Sequence, residues 1–456
     1  MQELAYKIYL IYIILCAIVV TSEYAITYIL KEEKMKKLAL CLTILLVATT
    51  LFAAGSKETS PEGAVTLNWY SHASSLGNTE KAIIEKFNET NPNITVDIVE
   101  LPEATNDKLQ ALLIALQSGD SSIDFFNADV TWTATFASAQ LIEPLDTWFP
   151  ASEREGFLPG TIAAATYNDT LWGIPFRTDA GVLYYRKDLL QKYGKEVPKT
   201  YTDLFATAQE INEKEGGGLY ALVGSLTNGE GLTCNAVEWF YSNGGQVIGK
   251  DGTILIDSSQ NRQILQMMSE AYANNLMPEG VLSYGSGDAR SSMFQGKQVF
   301  MRAWPKAYAM GQDPDKSKVM GKLGVAPLPR GPQGTMGKST LGGWQLFMNK
   351  NSKNKDASIK FMKFYASEYA QKLHALNDSY MPARKALYTD KDILEKYPYY
   401  SEFPQVLETA VPRPQSPYYA EISSILSAEV QNAMKGSKSA DQALADAQKT
   451  MEQVGK

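Results

Sequence analysis

The strongest constraint on this chain is the way its apolar residues change period. Val65 to Trp69 reads as a strand, and Thr79 to Asn88 as a helix with Ile83, Ile84 and Phe87 on one face. Ile94 to Val99 alternates apolar and polar residues like a half-buried strand. Asn106 to Gln117 places Leu109, Leu112, Leu113 and Leu116 at helical spacing, and Ile123 to Phe126 is a short apolar run. Strand, helix, strand, helix, strand over so short a stretch is the pattern of a doubly wound α/β lobe.

The alternation resumes past the middle. Gly181 to Arg186 is strand-like. Thr200 to Asp203 is a capping-box-like opening for a helix carrying Leu204, Ala208 and Ile211, which Gly216 to Gly218 stops. Leu219 to Val223 reads as a strand, and Asp257 to Gln260 opens a helix containing Ile264, Leu265, Met268 and Tyr272. Gln298 to Arg302, Leu323 to Ala326 and Trp344 to Met348 complete the strands, while Tyr418 to Met434 and Ala440 to Val454 form a helical tail. The chain of 456 residues is long enough for more than one core. It shows no internal repeat, and Pro327 to Pro332 and Pro412 to Pro417 read as stiff connectors.

Charge argues against nucleic acid as a partner. The formal net charge is -7, and because residues 1 to 54 hold five Lys and four Glu, the remainder carries -8 with no Lys/Arg run. Lys36 and Lys37, the apolar Leu38 to Val47 and the small-residue exit Phe52 to Gly55 form an export signal over residues 35–54, so 1–54 is expected to be an upstream extension and signal peptide. Ile8 to Val20 is shorter than the roughly 20 residues needed to span a bilayer. Cys16 and Cys41 fall in this leader, and Cys41 lies inside the apolar run, which argues against a lipoprotein. The remaining Cys234 cannot form an intramolecular disulfide and reads as a small buried hydrophobe.

Most catalytic chemistry is poorly represented. Gly337-Lys338-Ser339 imitates the end of a phosphate-binding loop, but the required upstream glycine is Pro332 and a strand follows instead of a helix. The only histidines, His72 and His374, are far apart in sequence; no metal or other cofactor is expected. There is no G-x-S-x-G nucleophile elbow. Asp129 and Asp179 are a carboxylate pair that a glycosidase would use, although Asp129, heading a helical run over Val130 to Ala139, also reads as an N-cap. Aromatics cluster near expected strand ends and turns: Trp69-Tyr70, Trp132, Trp172, Trp239-Phe240-Tyr241, Trp304 and Trp344. With Asp129, Asp179 and Arg413, they suggest a cleft in which rings pack on sugar C–H faces and charged groups bind hydroxyls.

Several motifs carry a more specific likeness. Asp124 to Trp132, Phe136 to Leu145, Thr178 to Asp188, Glu230 to Cys234, Tyr241 to Gly245, Trp304-Pro305, Gly324 to Pro329, Leu341 to Trp344 and Val411 to Pro414 resemble the extracellular solute-binding proteins of ABC sugar importers. The likeness is nearest to their trehalose/maltose-binding branch and spans residues 65 to 455. It implies an α/β fold of the periplasmic binding protein-like type II, with two doubly wound lobes and a hinged interlobe ligand cleft. The lobes are expected at 55–175 with 322–375 returning, and at 176–321 completed by 376–456. The resemblance implies a non-enzymatic, monomeric periplasmic receptor that hands a di- or oligosaccharide to the transmembrane subunits of an ABC permease. It assigns hydroxyl contacts to Asp129 and Asp179, ring stacking to Trp304 and Trp344, close backbone approach to Gly343, and a donor to Arg413. Asn78 or Glu80 stands where the branch has an acidic contact, and Arg177 where it has an aromatic residue; Arg177 makes a charged or phosphorylated sugar conceivable.

Overall fold

In the computed structural model, residues 63–72, 77–249 and 252–455 are described; the expected leader, with Cys16 and Cys41, lies outside them. The first half builds β1 (Val65–His72), α1 (Asn78–Asn88), β2 (Ile94–Leu101), α2 (Thr105–Gln117), β3 (Phe125–Asp129) and α3 (Thr133–Ser138). A small hairpin, β4 (Thr166–Tyr167) and β5 (Thr170–Leu171), precedes β6 (Gly173–Ala180) and β7 (Val182–Arg186). Then come α4 (Tyr201–Lys214), β8 (Tyr220–Val223), α5 (Glu230–Ser242), α6 (Ser259–Ala273), β9 (Gln298–Ala303), β10 (Leu323–Ala326) and β11 (Leu341–Met348). The chain finishes with α7 (Lys355–Tyr365), α8 (Glu368–Asp378), α9 (Tyr419–Met434) and α10 (Ala440–Met451), among shorter turns of helix.

Two sheets organise these elements. The first has the order β2-β1-β3-β11-β6, and the second β10-β7-β9-β8. β1 pairs in parallel with β2 and β3, as crossover helices require, whereas β11 runs antiparallel between β3 and β6. Each sheet has its own core. Leu67, Phe87, Leu112, Phe126, Phe347 and Phe361 belong to one; Tyr184, Leu204, Phe240, Leu265, Phe300 and Leu444 belong to the other. The chain passes between sheets at Ala180 to Val182 and again in the run leading into Leu341, so β6 ends and β11 begins where the two cores meet.

Local chemistry accounts for the helix starts. The Thr200 hydroxyl accepts from the Asp203 N–H, and Ser258 caps α6 by accepting from the Asn261 N–H. Two expectations need correction. Asp129 does not head a helix: it is the last residue of β3, and α3 begins four residues later behind Trp132, which makes no side-chain cap. Trp69 is not at a loop. It is fully buried within β1, stacked on Phe125 at 5.9 Å, with its indole N–H donating to Asn127 Oδ1 at 2.8 Å, and so serves the core. Trp239 is likewise core.

Candidate functional site

The strand register assembles the site. Asp129 on β3 pairs with Trp344 on β11, which pairs with Arg177 on β6, so the three side chains form one row across three strands. Asp179, two residues beyond Arg177, stands on the same face opposite Gly342. The register of β11 against β6 shifts between Trp344 and Gln345, an irregularity of the kind that re-aims side chains beside sites.

Glycine opens this row to a second aromatic plate. A Cβ on Gly342 would come within 2.9 Å of the Trp304 ring and 3.2 Å of Asp179 Cβ, so Trp304, which follows β9, can lie against bare backbone. Gly343 has φ +144°, and a Cβ there would meet the Arg177 carbonyl oxygen at 2.8 Å. Both glycines are therefore required by close backbone approach.

Charged groups surround the plates. Arg413 is buried and donates to Asp129 Oδ1 at 3.0 Å and also to Glu230 Oε1. Glu230 in turn accepts from the Tyr419 hydroxyl at 2.7 Å and the Ser423 hydroxyl at 2.6 Å. Asp129 Oδ1 additionally accepts the Thr131 N–H and hydroxyl. Arg413 thus ties the end of β3 in the first sheet to the start of α5 in the second core. Arg177 lies 4.2 Å over Tyr380 and 5.6 Å from the Trp344 centroid, and its Nε is 3.7 Å from Asp179 Oδ2. Among the described residues that Nε has no hydrogen-bond acceptor. Lys108 Nζ lies 5.5 Å from the Trp344 centroid, and Trp132 meets Trp344 edge-on at 5.7 Å.

Burial perturbs the titration of these groups. It pushes the Asp179 carboxyl up to about 6, with Arg177 opposing and Asp129 reinforcing the rise. Burial and the neighbouring Arg177 push Lys108 down to about 8. Glu80 is buried near the start of α1, where desolvation raises its carboxyl against the pull of His374. His374 stacks on the face of Tyr380 at 5.3 Å and pairs with Asp378 at 3.0 Å, so Glu80 borders the same aromatic column as Arg177.

Asp179 yields a stability prediction. Its folded value lies above the ordinary 3.8, so the native state holds the proton more tightly than the unfolded chain. The penalty for burying its charge is complete above the folded value and disappears below the unfolded one. Asp179→Asn should therefore stabilise the unliganded protein at neutral pH, by at most about 3 kcal/mol, with the gain shrinking as pH falls through 6 and vanishing below about 4. Thermal midpoints of both proteins across that range test this; a pH-independent difference would refute it.

Of the residues singled out in the sequence, Asp129, Arg177, Asp179, Trp304, Gly343, Trp344 and Arg413 come together, and Glu80 borders them. Asn78 is exposed at the first residue of α1, outside the buried row. The sequence reading missed Tyr380, while Ser339 does hold backbone: its hydroxyl donates to the Gly181 carbonyl at 2.6 Å. Cys234 is buried, and desolvation raises its thiol. A cavity of about 1460 Å³ lies elsewhere, lined by Tyr167, Tyr241, Tyr418, Thr178 and Leu341. Thr178 and Leu341 alternate with Arg177, Asp179 and Gly342 along their strands, so this cavity opens on the opposite face of the crossing strands; Arg413 also borders it.

Comparison with known proteins identifies the family and the fold. The family model of bacterial extracellular solute-binding proteins matches residues 73–372. A probable ABC transporter-binding protein of Deinococcus radiodurans is 36% identical over 344 residues, covering 74% of this chain and 81% of the relative. The maltose-bound MalE3 protein of T. maritima superposes with a TM-score of 0.80 at 34% identity, covering 85% of this chain and 99% of that one. The GacH receptor of Streptomyces glaucescens, solved unliganded and with acarbose, has a TM-score of 0.76 at 25% identity, covering 85% and 97%.

Proposed function

The chain belongs to the bacterial extracellular solute-binding proteins, and from that premise we propose that it is the receptor of an ABC sugar importer, binding a di- or oligosaccharide of trehalose or maltose type between its lobes for delivery to a membrane permease. The observation that carries this reading is the single row Asp129, Trp344, Arg177, with Asp179 beside it and Trp304 resting over Gly342. Two indole faces suit the apolar faces of two sugar rings, while carboxylates accept and guanidinium groups donate around their hydroxyl rims. Arg177, already paired with Asp179 at 3.7 Å, suits a neutral hydroxyl as well as an anionic group.

Arg413 supports a closure mechanism. Its partners come from both halves of the fold, so a ligand that bears on the same carboxylates would bias the hinge between open and closed forms. The permease would then distinguish the two forms. A glycosidase using Asp129 and Asp179 is less well supported, because the matching family and the Deinococcus radiodurans and Streptomyces glaucescens proteins are named as binding proteins or receptors.

The test is a titration followed by tryptophan fluorescence against trehalose, maltose, sucrose, glucose and a sugar phosphate. Stoichiometric, saturable binding with the sugar recovered unchanged is expected. A response confined to the sugar phosphate would move the ligand class, and turnover of a chromogenic glycoside that fails in Asp129→Asn would replace receptor by hydrolase.

A further inference from the structure

Beneath the Trp304 plate lies an ion pair that no sugar would touch. Arg302 and Glu238 are almost wholly buried, at 6% and 1% exposure, and join through two bonds: Arg302 Nε to Glu238 Oε2 at 2.7 Å and Arg302 Nη2 to Glu238 Oε1 at 2.5 Å. The flat guanidinium then lies 4.1 Å from the Trp304 ring centroid, a close cation–π approach. The pair also meets two of the chain crossings. Glu238 Oε1 accepts the Thr340 N–H at 3.2 Å, just before β11 begins, and a Cβ on Gly181 would fall 2.0 Å from that same oxygen and 2.5 Å from Arg302 Nη2.

A buried ion pair is an expensive way to gain stability, since desolvation offsets most of its attraction. What a bidentate carboxylate does supply is direction: it holds the plane of an arginine that a lone side chain would leave free. Here that plane supports an aromatic ring on one side, and the carboxylate holds a crossing strand on the other. Gly181 is suited to the arrangement because any side chain would displace the fork.

We propose that Glu238 and Arg302 are positioning residues of the binding site, holding the Trp304 ring in its stacking position and keying that position to the crossing segments at Gly181 and Thr340. The proposal rests on the reading of Trp304 as a sugar platform. Removing either partner alone would strand a buried charge, so the informative variant is the neutral, similarly sized Glu238→Gln/Arg302→Met double substitution, with Arg302→Lys as a variant that keeps the charge but loses the plane.

Maltose dissociation constants are measured for each variant in the parent protein and in a Trp304→Leu background, with thermal midpoints alongside. In the parent, both variants should weaken binding by about three- to ten-fold; in the Trp304→Leu background the loss should be under about two-fold, because the supported ring is gone. Equal losses in the two backgrounds, or no loss in the parent, would overturn the proposal while leaving the receptor reading intact. Failure of the parent to bind any sugar would sink the receptor reading and this inference together.

Discussion

Replacing Arg413 with alanine is expected to destabilise the protein by about 3 to 5 kcal/mol, the cost of stranding a buried charge. Its side chain is 2% exposed, and it lies between the carboxylates of Asp129 and Glu230, whose own side chains are 9% and 11% exposed. Without the guanidinium, two nearly buried carboxylates face each other with no cation between them. Neighbouring donors relieve only part of this: Thr131 serves Asp129, and Tyr419 and Ser423 serve Glu230. Arg413→Lys should recover only part of the loss, since one ammonium cannot reproduce a fork directed at two acceptors. Urea unfolding of the parent and both variants measures the effect. Equal stability in parent and alanine variant would mean that the pairing is solvated in solution and does not join the two cores.

The second large effect is expected at Trp344. It is 9% exposed, braced edge-on by Trp132, and approached by two cations, Lys108 and Arg177. Trp344→Ala should weaken sugar binding by about 1 to 3 kcal/mol, the range for a desolvated aromatic anchor, and lower stability by about 3 to 5 kcal/mol, as loss of a large core ring usually does. Trp344→Phe separates the effects, retaining most of the packing but less of the platform. Calorimetric titration of the folded phenylalanine variant should still show weakened binding; full affinity there would assign the residue to the core alone.

Much of this fold was legible because its strands and helices have strong periods. β10 and the amphipathic helices α1, α2 and α6 lie close to where their apolar residues predict. β6 was overlooked because Gly173 and Pro175 interrupt its pattern and both its faces are largely buried. The proline is tolerated there because β6 lies at the edge of the sheet. The family was legible in motifs such as Asp124 to Trp132 and Leu341 to Trp344, whereas the contacts made around them were not. The Arg302–Glu238 pair joins positions 64 residues apart and Arg413–Glu230 positions 183 apart, and such partners leave no local signature. The aromatic residues show the opposite failure: Trp69 and Trp344 look alike in sequence, yet Trp69 is fully buried within β1 while Trp344, at 9% exposure, stands in the row with Asp129.

The position of β11 also bears on how the chain is made. That strand occupies the interior of the first sheet, between β3 and β6, but emerges from the ribosome only after all four strands of the second sheet. The second core in turn awaits α9 and α10, at the end of the chain. Neither half can therefore be completed from a contiguous fragment, and the pairings that close each are among the most distant in sequence, which slows folding. A polypeptide made in this order keeps its first sheet divided, with β3 and β6 unbridged, until β11 has been synthesised.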